Sequence, residues 1–153
     1  MIKYCLDRWN KNKKMLQSEL ETRKGLNACD YGDLVKLVVH FILNGGDDDD
    51  YESYQTDRIT KIDDGDYLGT LLFLIPKNLY QPAEYEYLMT YVGYGSCSGC
   101  DTLLSIQGYE DEALLTNNQV KDYMTLCKDI VTNMIRPYNC GWREDEEYAT
   151  VKE

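Results

Sequence analysis

The amino-acid sequence predicts an α+β fold in which three main helices pack on a small, mostly antiparallel sheet. Apolar residues recur at helical spacing towards both ends of the chain, and between residues 67 and 95 the spacing changes to that of strands. The 153 residues, 43% of them hydrophobic, suit one domain with a sizeable core. We therefore predict a single domain over residues 1–140 and an acidic C-terminal tail over residues 141–153.

Residues 2–24 predict an amphipathic first helix. One face is apolar, with a single interruption at Lys13, and the opposite face carries charged side chains. The apolar face consists of Ile2, Leu6, Trp9, Leu16 and Leu20. Because glycine commonly stops a helix, we expect this one to end at Gly25.

A second helix is predicted from Asp30 through the run LVKLVVHFILN. Either Asp30 or Asp33 can cap its first turn, and the two glycines after residue 44 mark its end. Its closely spaced apolar residues indicate a largely buried element. The β-branched neighbours Val38 and Val39 leave a strand open as the alternative.

The middle of the chain predicts strands. The run YLGTLLFLIP at residues 67–76 is almost continuously apolar, which is typical of a central strand. Residues 84–95 alternate between two faces, so we predict a second strand that pairs antiparallel with the first. A shorter strand at residues 58–62 joins the sheet.

Two further helical elements are predicted after the strands. Residues 101–109 open with a helical turn that Asp101 caps. The last helix begins at Asn117 or Asn118 and ends before Pro137. Its apolar stripe consists of Val120, Tyr123, Met124, Cys127, Ile130, Val131 and Met134.

The chain carries a formal net charge of −11. This charge argues against direct binding of nucleic acid through a basic patch and against attraction to anionic membranes. It favours a basic partner, a metal ion or simple solubility. No apolar run is long enough for a membrane span, and the N-terminus lacks the apolar core of a signal peptide. We therefore expect a cytoplasmic protein with mostly reduced cysteines.

An exposed loop is predicted at residues 45–57, where four aspartates follow one another. Adjacent like charges resist burial, and residues 31–66 contain ten acidic against three basic side chains. We predict that the carboxylates steer a basic partner and that the neighbouring tyrosines supply contact area. The predicted contact residues are Asp47, Asp48, Asp49, Asp50, Tyr51, Glu52 and Tyr54. A solvated loop without a partner is the alternative.

The segment YVGYGSCSGC at residues 91–100 ends in the Cys-x-x-C pair Cys97 and Cys100. Half of a zinc site, a redox dithiol and a strand-to-helix corner are all open interpretations. We favour the corner, in which the thiols pack as small hydrophobic groups. Its glycines, which can adopt positive φ, are Gly93, Gly95 and Gly99.

A zinc site at this pair would need two more ligands. The candidates are Cys127, Cys140 and His40, which would have to gather in space. A thioredoxin-like redox site would need a βαβ unit upstream, and the sequence does not predict one. The corner at residues 93–101 is also the alternative contact surface, since sharply turned loops often carry binding residues.

No catalytic constellation is recognisable in the sequence. The only histidine lies in a predicted apolar helix, and the glycine-rich segment has no lysine after it. The aspartate run lacks the ligand spacing of a calcium loop. We therefore expect a protein that is not an enzyme and uses no cofactor, with zinc at Cys97 and Cys100 as the alternative.

Residues 67–104 and the later segment MTLCKDIV carry a resemblance over about the second half of the chain. The strand YLGTLLFLIP, the turn YQPAEYEYLMT and the corner YVGYGSCSGCDTL resemble small uncharacterised proteins of phages and mobile elements in Firmicutes. The resemblance implies a phage-like origin and a bacterial cytoplasm. By analogy with other small acidic phage proteins, it suggests an inhibitor of a host defence protein that handles nucleic acid. Such inhibitors include anti-CRISPR and anti-restriction proteins, some of which mimic DNA. The alternative function is that of a metal-binding or redox protein that uses Cys97 and Cys100.

Overall fold

The computed structural model describes residues 1–136. In chain order the elements are α1 (Ile2–Thr22), α2 (Tyr31–Leu37), a π-helical segment (Val38–Leu43), β1 (Thr60–Asp63), β2 (Gly69–Pro76), β3 (Tyr87–Tyr94), α3 (Thr102–Ile106) and α4 (Asn117–Thr132). This is the predicted α+β fold, with three main helices and a three-stranded antiparallel sheet. The predicted tail at 141–153, the domain boundary at 140, and the predicted roles of Pro137 and Cys140 lie outside the described residues.

The buried stripe of helix α1 shares Trp9, Leu16 and Leu20 with the predicted one and differs at its other positions. Its buried side chains are Cys5, Trp9, Asn12, Leu16 and Leu20. Asn12 can occupy the buried face because its amide donates a 2.7 Å hydrogen bond to the carbonyl of Ile42. Ile2 is 51% exposed, and Lys13 lies beside the stripe rather than interrupting it.

The second predicted helix is present but changes its winding. Asp30 caps α2, because its carboxylate accepts the N–H of Asp33 at 2.9 Å and the Asp33 carboxylate accepts the N–H of Asp30. From Val38 onwards the helix widens to π geometry, which puts Val38, Val39, Ile42 and Leu43 in the core. A strand, the alternative for this segment, is therefore wrong.

Side chains of α1 complete the hydrogen bonds at the end of the π-helical segment. The last carbonyls of a helix have no partner within it. Here the carbonyl of Leu43 accepts a 2.9 Å bond from Nε of Arg8, and the carbonyl of Ile42 accepts the bond from Asn12. The two helices are thus joined by polar contacts as well as by packing.

The sheet has the order β1-β2-β3, with both pairs antiparallel. Leu71 lies opposite Val92 and Phe73 opposite Thr90, and all four side chains are buried on the inner face. The hydroxyl of Thr90 donates a 2.7 Å bond to the carbonyl of Ile130, which joins the sheet to α4. β1 is exposed along its whole length.

The strands are shorter than predicted at their N-terminal ends. β3 begins at Tyr87 rather than at residue 84, because Glu84–Glu86 forms a 3₁₀ turn. The carboxylate of Glu86 holds this turn by accepting the N–H of Ala83 at 2.8 Å. β2 likewise begins at Gly69, and β1 covers Thr60–Asp63 instead of residues 58–62.

Helix α4 is capped by Thr116 and not by Asn117 or Asn118. The Thr116 hydroxyl accepts the N–H of Gln119 at 3.2 Å, and the Gln119 side chain accepts the N–H of Thr116 at 2.9 Å. This reciprocal pair satisfies two N–H groups at the start of the helix. The predicted apolar stripe is confirmed, with Leu126 added to it and Met124 only partly buried.

One hydrophobic core joins the main helices to the inner face of the sheet. Tyr123 is its largest fully buried side chain, and its hydroxyl donates a 2.7 Å bond to the carbonyl of Leu26. Among residues 1–136, no helix combines the length and apolar character that a membrane crossing requires.

Candidate functional site

Two surface features contain the predicted site residues. We call residues 47–54 the acidic loop and residues 93–101 the cysteine corner. The acidic loop follows the π-helical segment and ends before β1, whereas the cysteine corner connects β3 to α3. Each is shaped by buried polar side chains that the sequence patterns did not single out as functional.

Asn44, which is buried, ties the two ends of the acidic loop together. Its amide oxygen accepts the N–H of Tyr54 at 2.8 Å, and its amide nitrogen donates to the carbonyl of Tyr54 at 2.8 Å and to Asp48 Oδ1 at 2.6 Å. The other carboxylate oxygen of Asp48 lies 2.8 Å from Nδ1 of His40. The acidic loop is therefore anchored to the helix before it.

A second set of hydrogen bonds fixes the acidic loop against the end of β2. Ser53 is buried, and its hydroxyl donates to the carbonyl of Asp48 at 2.9 Å. The amide of Asn78 donates to the carbonyls of Asp48 and Asp50, each at 3.2 Å. The N–H of Asn78 also donates to the carbonyl of Ser53 at 2.8 Å. These contacts give the loop a defined backbone.

Five of the seven predicted contact residues lie exposed on this loop. They are Asp47, Asp49, Asp50, Tyr51 and Glu52. The carboxylate of Asp47 accepts a hydrogen bond from the N–H of Asp49 at 3.1 Å, and that of Asp50 accepts one from the N–H of Glu52 at 3.0 Å. Both bonds are local to the loop, so these two carboxylates stay at the surface. Tyr51 is 70% exposed, and Glu52 pairs with Lys77 at 2.9 Å. The loop thus presents several carboxylates and one aromatic ring together.

The other two predicted contact residues have structural roles. Tyr54 is only 6% exposed and belongs to the hydrophobic core, so its inclusion in the contact surface is wrong. Burial also raises the pKa of its hydroxyl. The half-buried carboxylate of Asp48 is occupied by His40 and Asn44. A run of four aspartates gives no indication of which one faces inward, because that depends on side chains elsewhere.

The cysteine corner is the strand-to-helix connection that the sequence predicted. After β3 ends at Tyr94, the N–H groups of Cys100 and Asp101 both donate to the carbonyl of Cys97 at 3.0 Å, which closes a tight turn. The sulfur atoms of Cys97 and Cys100 lie 3.0 Å apart. Both cysteines are exposed, so the expectation that they pack as hydrophobic groups is wrong.

A buried carboxylate shapes the cysteine corner from behind. Asp101 is only 6% exposed. Its Oδ1 atom accepts hydrogen bonds from the hydroxyl of Tyr31 and from the N–H of Leu104, both at 3.0 Å. Its Oδ2 atom accepts a hydrogen bond from the N–H of Gly95 at 2.9 Å. The Tyr31 hydroxyl in turn accepts the N–H of Leu103 at 3.1 Å. Burial is the main reason that the pKa of Tyr31 is raised to about 12.

The glycines of the corner serve a purpose other than the expected one. None of Gly93, Gly95 and Gly99 has a positive φ. Gly95 is required by close approach, because a Cβ there would lie 2.5 Å from both the carbonyl oxygen and the sulfur of Cys100. A Cβ at Gly99 would meet only the sulfur of Cys97, at an ordinary 3.8 Å.

The described residues do not assemble a zinc site around the pair. Within residues 1–136, no three or more His, Cys, Asp or Glu side chains gather as a metal cluster. Cys127 is fully buried in α4, and burial raises its pKa to about 12, whereas His40 is bonded to Asp48. The two exposed thiols are therefore available to each other and to an external group.

No protein-family model matches the sequence, and searches of curated proteins and of solved structures returned no significant match.

Proposed function

We propose that this protein binds the basic surface of a partner protein through its acidic loop. The observation that carries the proposal is the exposure of Asp47, Asp49 and Asp50 on a loop whose backbone is pinned by buried side chains. These three carboxylates, together with the ring of Tyr51, form the proposed contact surface.

Charge supports this proposal in two ways. The whole chain has a net charge of −11, so its long-range field attracts cationic surfaces and repels nucleic acid. Clustered carboxylates add a local field that can raise association rates by a factor of about 10 to 10³ at low salt. A partner with a basic channel or groove is therefore captured faster than a neutral one.

The defined backbone of the loop supports tight binding. A flexible loop must be ordered on association, which costs roughly 0.5–1.5 kcal/mol for each immobilised side chain. The bonds from Asn44, Ser53 and Asn78 already order this loop in the free protein. Tyr51 adds a rigid ring with few rotatable bonds, a common anchor at protein interfaces.

We further propose that the partner is a host protein that handles nucleic acid in defence. Proteins that bind DNA or RNA carry basic surfaces, and an acidic protein of this kind can occupy them as a DNA mimic. The resemblance to phage and mobile-element proteins supports the same role, that of a non-enzymatic anti-CRISPR or anti-restriction inhibitor in the bacterial cytoplasm. The protein itself would bind no nucleic acid.

Comparative capture from a bacterial lysate tests the proposal. Three immobilised baits are the unchanged protein, a loop variant and a control variant, and the lysate is treated with nuclease so that nucleic acid cannot bridge. The loop variant carries Asp47→Asn, Asp49→Asn and Asp50→Asn, and leaves Asp48 intact. The control variant carries Glu110→Gln, Asp111→Asn and Glu112→Gln, which removes the same three charges from another exposed segment.

We expect the unchanged and control baits to retain a basic protein that the loop variant does not retain. Duplex DNA should elute this protein from the baits. Equal retention by the loop variant would show that the acidic loop is not the contact surface. Equal loss from both variants would show that only net charge matters. Elemental analysis of the purified protein addresses the zinc alternative, which requires about one zinc per chain.

A further inference from the structure

We propose that Cys97 and Cys100 form a thiol–disulfide exchange site, in which Cys100 attacks an external disulfide and Cys97 closes the intramolecular bond. This activity is independent of partner binding by the acidic loop. It is carried by the position of the two sulfur atoms, their exposure and the shape of the cysteine corner.

The turn at the corner brings the two cysteines close together. The turn closed by the N–H of Cys100 and the carbonyl of Cys97, 3.0 Å apart, brings the two Cα atoms within about 7 Å. Disulfides span Cα separations of about 4.4–6.8 Å. The sulfurs lie 3.0 Å apart, so bond formation requires them to approach by only about 1 Å.

The hydrogen bonds at the pair assign different roles to its two sulfurs. The N–H of Cys97 donates to the sulfur of Cys100 at 3.3 Å, and the thiol of Cys97 lies beside the same sulfur. The side-chain contact with Cys97 and then the backbone N–H of Cys97 lower the pKa of Cys100, whose own thiol lies 3.3 Å from the carbonyl oxygen of Cys97. Because the thiolate is the nucleophile, Cys100 is the attacking residue.

Atoms and electrons balance with a disulfide as the co-reactant. Cys100 gives its proton to solvent, and its thiolate attacks one sulfur of R–S–S–R, so that a Cys100–S–S–R bond forms and R–S⁻ leaves and takes up a proton. Cys97 then gives its proton to solvent and attacks the Cys100 sulfur, which releases the second R–S⁻, and this also takes up a proton. The protein loses two electrons and two protons, and the external disulfide becomes two thiols.

The other described cysteines are unsuited to this chemistry. Cys5 and Cys127 are fully buried, and burial raises their pKa values to about 11 and about 12. Cys29 is partly buried, and burial also raises its pKa. Exchange at the surface should therefore be confined, within residues 1–136, to Cys97 and Cys100.

The test is incubation with oxidised glutathione, followed by acid quenching and mass spectrometry of the intact protein and its peptides. We expect the unchanged protein to lose two hydrogens at Cys97 and Cys100 without keeping an adduct on either of these two residues. Cys97→Ser should stop at a glutathione adduct on Cys100. Cys100→Ser should form its adduct on Cys97 more slowly than Cys97→Ser forms its adduct on Cys100, because the contacts that lower the pKa of Cys100 favour its thiolate, which is the attacking form.

Adducts that accumulate on Cys97 or Cys100 of the unchanged protein without ring closure would overturn the proposal, as would faster reaction of Cys100→Ser than of Cys97→Ser. Two glycine variants test the role of the corner's shape. Gly95→Ala displaces Cys100 and should slow ring closure, whereas Gly99→Ala should leave it close to that of the unchanged protein. Equal closure rates in both glycine variants would contradict the claim that the corner is preorganised. Circular dichroism checks that each variant is folded.

Discussion

Replacing Asp101 by asparagine should destabilise the protein by about 3 kcal/mol. The carboxylate accepts three hydrogen bonds, from Tyr31, Leu104 and Gly95, and it is 6% exposed. An asparagine has the same shape, but its NH₂ group must face one of these donors. One buried donor is then unsatisfied, which costs about 1–3 kcal/mol, and the remaining bonds lose the assistance of the charge.

Urea unfolding followed by circular dichroism measures this loss. For a slope of about 2 kcal/mol per molar urea, the midpoint should fall by about 1.5 M with the slope unchanged. Tyr31→Phe removes the hydroxyl that bonds both Asp101 and the N–H of Leu103. A double-mutant cycle of the two changes should give a coupling energy of about 1 kcal/mol or more, because the side chains are in direct contact.

A surface aspartate is the matched control for this experiment. Asp122 is exposed on α4, so Asp122→Asn should change the free energy of unfolding by less than about 0.5 kcal/mol. If Asp101→Asn shifted the midpoint no more than Asp122→Asn and its effect simply added to that of Tyr31→Phe, the buried network would not hold the corner.

Three further changes test the rest of the fold. Asn12→Leu should cost about 2 kcal/mol in urea unfolding, because it leaves the buried carbonyl of Ile42 without its donor; an unchanged midpoint would mean that this bond is dispensable. Thr90→Val should cost about 1 kcal/mol through loss of the bond to Ile130, and a more stable variant would contradict this. Stability should fall as pH rises from about 9 to about 12, since burial raises the pKa of Cys127 to about 12 and the folded state therefore holds its proton more tightly than the unfolded state. Cys127→Ala should flatten that decline, and an equally steep decline in the variant would assign it to other groups.

The fold class could be predicted from the sequence because each main element has a strong period. The errors in the predicted elements arise where a side chain bonds to a part of the chain that is distant in sequence. Asn12 was not expected in the core because asparagine is polar, and only the carbonyl of Ile42, thirty residues away in the chain, makes its burial favourable. The π-helical segment after Leu37 is likewise joined to α1 by the bond from Arg8 to Leu43, a contact that no local pattern contains. Polar side chains therefore limited the prediction more than apolar ones did.

The candidate sites were predicted in position but not in internal arrangement. The aspartate run indicated an exposed loop, yet the inward direction of Asp48 and Tyr54 depends on Asn44 and His40. The Cys-x-x-C spacing indicated a corner, yet it indicated neither the exposure of the two thiols nor the bond from the N–H of Gly95 to the buried carboxylate of Asp101. An asparagine at the end of a helix, directly before two glycines, was the available signal for the loop anchor.

The salt dependence of affinity for the captured partner tests the central claim most directly. Titration calorimetry at low and physiological salt would compare the unchanged protein, the loop variant and the control variant defined above. We predict that the loop variant binds at least about tenfold more weakly, a loss of about 1.4 kcal/mol, and that its affinity depends less on salt, while the control variant stays close to the unchanged protein. Affinities and salt dependences that are the same for the loop variant and the unchanged protein would contradict binding through the acidic loop.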